Sequence, residues 1–192
     1  MTDRPILFSA PMVRAILYER KTQTRRVVKP QPVDRGGGSL SISYAAGKMN
    51  HMGPANFMLE KLAQYGCPYG KTGDRLWVRE AFFIDGGKGS VRYRASGHVS
   101  PFGWKPSIHM PRWASRITLE ITGVRVERLQ DISNADAMSE GIEEYLGIKY
   151  TGEKPPADGR IRFSELWTEI NGPYSRSANP FVWVIEFKRV MP

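Results

Sequence analysis

Seven consecutive residues near the C-terminus, Phe181-Val182-Trp183-Val184-Ile185-Glu186-Phe187, leave few folds open to this chain. β-Branched and aromatic residues fit a pleated strand. Apolar residues at both parities through Ile185 mean a strand covered on both faces, which predicts a central position in a sheet. Partners for it are readable upstream. Ile117, Leu119 and Ile121 alternate with Thr118, Glu120 and Thr122, and Val124 and Val126 continue the pattern past Gly123 toward Leu129. Leu76-Trp77-Val78 follows the turn signal Gly73-Asp74, Val91, Tyr93 and Ala95 alternate with Arg92 and Arg94, and Ile6-Leu7-Phe8 is a further short strand.

Helices interrupt these strands. Ser9 is placed to cap a helix with Pro11 in its first turn, burying Met12, Val13, Ile16 and Leu17 and ending near Glu19. Asn56 to Gln64 reads as a short helix closed by Gly66. Ser133 with Asp136 forms a short capping box for a third, which Gly141 stops. Phe163, Leu166, Trp167 and Ile170 recur at helical spacing before Asn171-Gly172-Pro173 and are read as core. Residues 29–72, with Pro30, Pro32 and Gly36-Gly37-Gly38, read as a loop-rich insertion with too few apolar residues for a core of their own. The expectation is one domain over 1–192, of the α+β class: a small β-barrel with peripheral helices.

The net charge of +9 is uneven. Residues 1–35 carry 8 basic and 3 acidic side chains, whereas 131–169 carry 4 basic and 9 acidic. Such a balance suits anionic partners such as nucleic acid, and equally a solvated basic surface. A single cysteine, Cys67, excludes an intrachain disulfide framework, and the start of the chain lacks a signal-peptide core. With no apolar run of membrane-spanning length, a cytoplasmic protein without a membrane partner is expected. His51, His98, His109 and Cys67 lack metal-ligand spacing, so neither a metal nor another cofactor is expected.

The segment Glu19-Arg20-Lys21-Thr22-Gln23-Thr24-Arg25-Arg26 admits three readings. Arg20 and Lys21 are cations at a helix C-terminus, which the helix dipole favours. The cluster is also a phosphate-binding patch. Neighbouring positive charges make an amine easier to deprotonate, so Lys21 could serve as a base for a Thr24 nucleophile. On a regular strand residues three apart face opposite ways, so such a pair needs a turn or a helix end.

Several segments together resemble the ASCH domains, relatives of the PUA-like RNA-binding modules, and most of all their phage and prophage branch. They are 20–26, Gly73-Asp74-Arg75-Leu76-Trp77-Val78-Arg79-Glu80, 117–121, Ala137-Met138-Ser139-Glu140-Gly141, 163–172 and 179–187. The resemblance runs from about Ile6 to Val190, weakest over 29–69. It implies a PUA-like barrel and, from the short bacterial members, hydrolysis of the amide of N4-acetylcytidine. It assigns Lys21 as proton acceptor, Thr24 as nucleophile and Glu140 as proton donor. The family keeps a glycine where this chain has Glu19, which predicts a strained positive φ there. A bacterial host cell is the implied location.

Candidate substrate-binding residues are Arg20, Arg26, Trp77, Arg79, Glu80, Trp104, His109 and Arg112. The run 104–113 interleaves aromatic and basic residues, a pattern suited to unstacked bases. Trp104 and Trp113 read alternatively as residues packed on the barrel, and for Trp113 that is the favoured reading. Glu140 reads otherwise as a surface glutamate, and Thr24 as strand filling. The alternative to a hydrolase acting on an N4-acylated cytosine nucleoside is a non-catalytic RNA- or modified-base-binding module, or a ribonuclease. The expected partner is a nucleoside or single-stranded nucleic acid, RNA rather than DNA.

Overall fold

The computed structural model describes residues 2–43, 50–86, 90–100, 103–143 and 158–190. In chain order the elements are β1 (Asp3–Leu7), α1 (Ala10–Leu17), β2 (Gln23–Val27), β3 (Val33–Gly36), β4 (Ser39–Ser43), β5 (Asn50–Pro54) and α2 (Ala55–Tyr65). They continue as β6 (Arg75–Arg79), β7 (Phe82–Asp85), β8 (Ser90–Tyr93), β9 (Thr118–Arg128), α3 (Asn134–Ser139), α4 (Gly159–Asn171) and β10 (Phe181–Val190).

A five-stranded sheet in the order β1-β6-β9-β10-β2 carries the core. β1 runs parallel to β6, and the remaining pairs are antiparallel. β10 lies between β9 and β2, and Phe181 through Ile185 are all buried, as the two-faced apolar run requires. Burying each large side chain of that run contributes about 1.5–3 kcal/mol, so β10 anchors the fold. The pairing order leaves β1 and β2 at the two ends. The side chain of Arg26 in β2 donates from Nη2 to the Leu7 carbonyl of β1 at 2.9 Å. The architecture is the expected α+β arrangement, sheet-rich with helices at its periphery.

The stretch 29–72 is more regular than its Pro and Gly content suggested. β3, β4 and β5 form a second sheet in that order, with Gly36, Gly37 and Gly38 all at positive φ in the β3–β4 turn. The glycines supply a hairpin rather than slack. Leu40, Ile42, Met58 and Leu62 bury against the same apolar cluster as β10. β7 and β8 pair as a hairpin, and the alternation expected through Ala95 gives way to a 3₁₀ turn at Arg94–Ser96. Among the described residues no helix is long and apolar enough to cross a membrane.

α1 ends in a way that positions everything after it. Glu19 N donates to Ile16 O at 3.1 Å and Arg20 N to Ala15 O at 2.8 Å, the paired bonds of a Schellman motif. That motif needs a left-handed residue between helix and exit, and Glu19 fills it at φ 58°. Glycine is the residue this conformation favours. Glu19→Gly is therefore expected to raise stability by about 0.5–1 kcal/mol, read as a higher urea midpoint. A lower midpoint would show that the Glu19 side chain contributes more than its backbone costs.

Candidate active site

The exit from α1 turns the chain so that Lys21 precedes β2 instead of lying on it. Lys21 N donates to Ala15 O at 3.1 Å, and Lys21 forms an isolated antiparallel bridge with Glu140. Thr22 N donates to Ser139 O at 3.0 Å and Phe187 N to Thr22 O at 2.8 Å, fixing the segment between α3 and β10. α3 starts at Ser133, whose Oγ accepts from Asp136 N at 3.0 Å, and closes on Glu140. The next residue, Gly141, has φ 74° and stands so close that a Cβ on it would lie 2.7 Å from Ala15 Cβ and 2.8 Å from Lys21 Cβ. The C-termini of α1 and α3 thus meet with Lys21 and Glu140 between them.

Lys21, Thr24, Arg25 and Glu140 are all buried, Thr24 with 1% of its surface exposed. Lys21 Nζ donates to Glu140 Oε2 at 2.8 Å and to the Glu140 carbonyl at 2.8 Å. The second bond lets the ammonium neutralise the negative end of α3. Arg25 Nη1 donates to the other carboxylate oxygen, Oε1, at 3.1 Å. Arg25 also reaches Glu127 Oε1, at 3.1 Å from Nε and 2.6 Å from Nη2, and Asp136 Oδ2 at 3.4 Å. Each Glu140 oxygen therefore has its own cation, which fixes the plane of the carboxylate. Burial pushes the Lys21 ammonium below its ordinary range; Glu140 opposes the shift, and the Arg26 and Arg25 charges add to it. The surface-glutamate reading of Glu140 does not survive, because α3 packs its C-terminus against α1.

Lys21, Thr24 and Glu140 line one cavity of about 610 Å³. Arg25 and Arg26 join them, with Phe8 and Met12 from the α1 side and Phe163, Leu166, Trp167 and Ile170 from α4. Phe8 lies beneath two cations, Lys21 Nζ at 5.6 Å and Arg26 at 5.3 Å from its ring centre. The α4 residues were missed as site residues. Helical periodicity identifies a buried face without telling whether packed strand or open cavity lies against it. Ile170 is in fact 65% exposed while lining the cavity. Tyr69 also lines it, so the 29–72 stretch reaches the site.

Of the eight residues read as substrate-binding, Arg26 lines this cavity. Arg20 is exposed with its guanidinium 5.0 Å from the Tyr18 ring centre. Glu80 is buried in a two-pronged ion pair with Arg116, at 2.9 and 3.1 Å, and burial pushes its carboxyl up against that pull. Arg79 donates to the Met110 carbonyl at 3.1 Å and to that of Ile108, which ties the 104–113 run to β6. Trp77 faces outward between Arg79 and Arg112, 5.3 and 5.8 Å from its ring centre. Trp104 is half-buried beside the Phe82–Lys105 bridge, and His109 is exposed on a 3₁₀ turn. Trp113, expected to pack on the sheet, is 66% exposed. The turn Arg112–Ala114 buries Ala114 and so directs the preceding side chain outward. Among the described residues no group of three His, Cys, Asp or Glu side chains is placed to hold a metal ion.

No family model matches the chain, and no curated protein is similar to it. Among solved structures it is similar to an ASCH domain from Lactobacillus crispatus, at 12% identity and a TM-score of 0.41, over 98% of this chain and 79% of that one. It is similar to a protein of the DUF984 family from Enterococcus faecalis, at 12% identity and a TM-score of 0.42, over 99% of this chain and 80% of that one.

Proposed function

We propose that the chain is an amidohydrolase that removes the acyl group from an N4-acylated cytosine nucleoside or a related modified base. The observation that supports this reading is the convergence of Lys21, Thr24 and Glu140 on one cavity with Lys21 Nζ 2.8 Å from Glu140 Oε2. Amide cleavage needs a nucleophile, a base to take its proton and an acid for the leaving amine. Transfer of the Lys21 proton to Glu140 along their hydrogen bond gives a neutral amine and a protonated carboxyl together, without changing the charge of the pair. The lowered Lys21 pKa favours that transfer.

Thr24 Oγ then adds to the acyl carbonyl while Lys21 takes its proton. The C–N bond breaks as Glu140 protonates the departing exocyclic nitrogen, leaving an acyl ester on Thr24 and a free cytosine amine. Water hydrolyses the ester, with Lys21 and Glu140 resuming the same parts. The rings of Phe8, Phe163 and Trp167 offer apolar faces for the base, and Arg26 stands at the cavity wall nearest β1.

Incubation of the purified protein with N4-acetylcytidine, followed chromatographically, is expected to release cytidine. Lys21→Ala should slow release by about 10²–10⁴-fold, the usual contribution of a positioned base. Equal release by wild type and Lys21→Ala would remove the proposed role.

A further inference from the structure

We propose that Arg25 is the positioning residue of this site. It fixes which oxygen of Glu140 carries the proton and, with Glu127 and Asp136, sets the pH range over which the Lys21–Glu140 pair works. The catalytic consequence rests on the function proposed above; control of the pair's proton does not.

Strand and helix register place the guanidinium. Gln23 and Arg25 lie on one face of β2 and both turn to α3, Gln23 Nε2 donating to the Asp136 carbonyl at 2.6 Å and Arg25 Nη2 to Asp136 Oδ2 at 3.4 Å. Asp136 and Glu140 are one helical turn apart, so their carboxylates share a face of α3 and repel each other. Arg25 bridges them, with Nη1 3.1 Å from Glu140 Oε1 and its side chain wholly buried. β9 holds the far side of the fork, where Glu127 Oε1 accepts from both Nε and Nη2. A planar guanidinium tied to Glu127, Asp136 and Glu140 at once has a single orientation.

That orientation gives the two Glu140 oxygens different parts. A guanidinium only donates and keeps its charge, so Oε1 remains an acceptor. The proton that passes from Lys21 therefore stays on Oε2, the oxygen 2.8 Å from Nζ. An arginine facing a carboxylate alone favours the ionised form, which would oppose a proton donor. Here Glu127 and Asp136 divide the charge of Arg25. Arg125 balances them from the outer side, donating to Glu127 Oε2 at 3.0 Å, to Asp136 Oδ2 at 3.0 Å and to Glu186 Oε1. Among the described residues, the Arg26 charge also acts on Lys21, and Glu169 of α4 lines the cavity wall.

The test is the sign of a shift. Removing a positive charge beside the pair makes its protons harder to lose, and removing a negative one makes them easier. Arg25→Gln should move both limbs of the kcat/KM profile for N4-acetylcytidine upward by about 1–3 pH units. Glu127→Gln should move them downward by about one unit. Arg25→Lys keeps the charge but not the fork, so its profile should match wild type while kcat falls about 10²-fold. Glu127 is partly exposed and glutamine is its isostere, so that variant decides the matter where Arg25→Gln does not fold. NMR titration of Glu140 Cδ and Lys21 Nζ reads the same proton without substrate, and its midpoints should move in the same opposed directions. A Glu127→Gln midpoint that stays or rises, or an Arg25→Gln midpoint that stays or falls, would overturn the inference. Wild type that releases cytidine, with variant profiles unmoved, would overturn it and leave the hydrolase standing. Opposed NMR shifts in a protein that releases no cytidine would support the control by Arg25 and reject the hydrolase.

Discussion

Glu140→Ala is expected to destabilise the fold by about 3–5 kcal/mol, the usual effect of removing one partner from a buried ion pair. The size follows from what stays behind. The Lys21 side chain is 2% exposed and that of Arg25 0%, so neither can turn to water when the carboxylate goes. Arg25 keeps Glu127 and Asp136, but among the described residues Lys21 keeps the Glu140 carbonyl and the Phe8 ring, neither of which carries a charge. The double variant Lys21→Met, Glu140→Ala should recover part of that loss, because it leaves no unpaired ammonium in the core, while the space vacated by the shorter side chain at position 140 keeps the rest. Urea unfolding of wild type, the two single variants and the double variant measures both effects. If the double variant is as unstable as the sum of the single ones, the pair is structural. If it recovers, the pair stands in the core for a reason other than stability, and the acid–base part proposed for it supplies one.

Gly141→Ala should destabilise by about 3 kcal/mol, for two separable reasons. Its φ of 74° costs an L-residue about 1–2 kcal/mol. Its Cβ would also stand 2.7 Å from Ala15 Cβ and 2.8 Å from Lys21 Cβ, a clash in the range of about 1–3 kcal/mol for an overpacked core. Gly97 separates the two parts, since it is left-handed at φ 76° but has no atom within 4 Å of the same added carbon. Gly97→Ala should therefore carry only the backbone part, about 1–2 kcal/mol. Gly141→Ala should in addition slow cytidine release, because the new methyl displaces Lys21. Equal urea midpoints for the two alanine variants would show that α1 and α3 do not meet as described.

Much of the fold was legible because its signals are local and periodic. The two-faced run of β10, the alternation of β9 and the cap residues Ser133 and Gly141 each describe their own element, whereas Ser9 precedes α1 without a side-chain capping bond. The positive φ of Glu19 came instead from the family resemblance, through the glycine that usually stands there, and the end of α1 supplies its physical reason. The three-stranded β3-β4-β5 sheet was not, because its glycines signal a turn without telling whether strands flank it. The site divided the same way. Lys21, Thr24 and Glu140 came from motif resemblance, and the structure places them around one cavity. Phe163 and Trp167 carry the same helical spacing as any core residue, and only the cavity beside α4 distinguishes them. The partnership of Arg25 with three carboxylates depends on long-range register between β2, β9 and α3, which no short sequence window contains.

Thr24 gives the most direct test of the account, because its loss removes one hydroxyl and one methyl from β2 and leaves the charged groups around it in place. Single-turnover release of cytidine from N4-acetylcytidine should fall by at least about 10³-fold in Thr24→Ala relative to wild type, as it does when a nucleophile is removed from a group that acts as a unit. Release by Thr24→Ala within a few-fold of wild type would contradict the account.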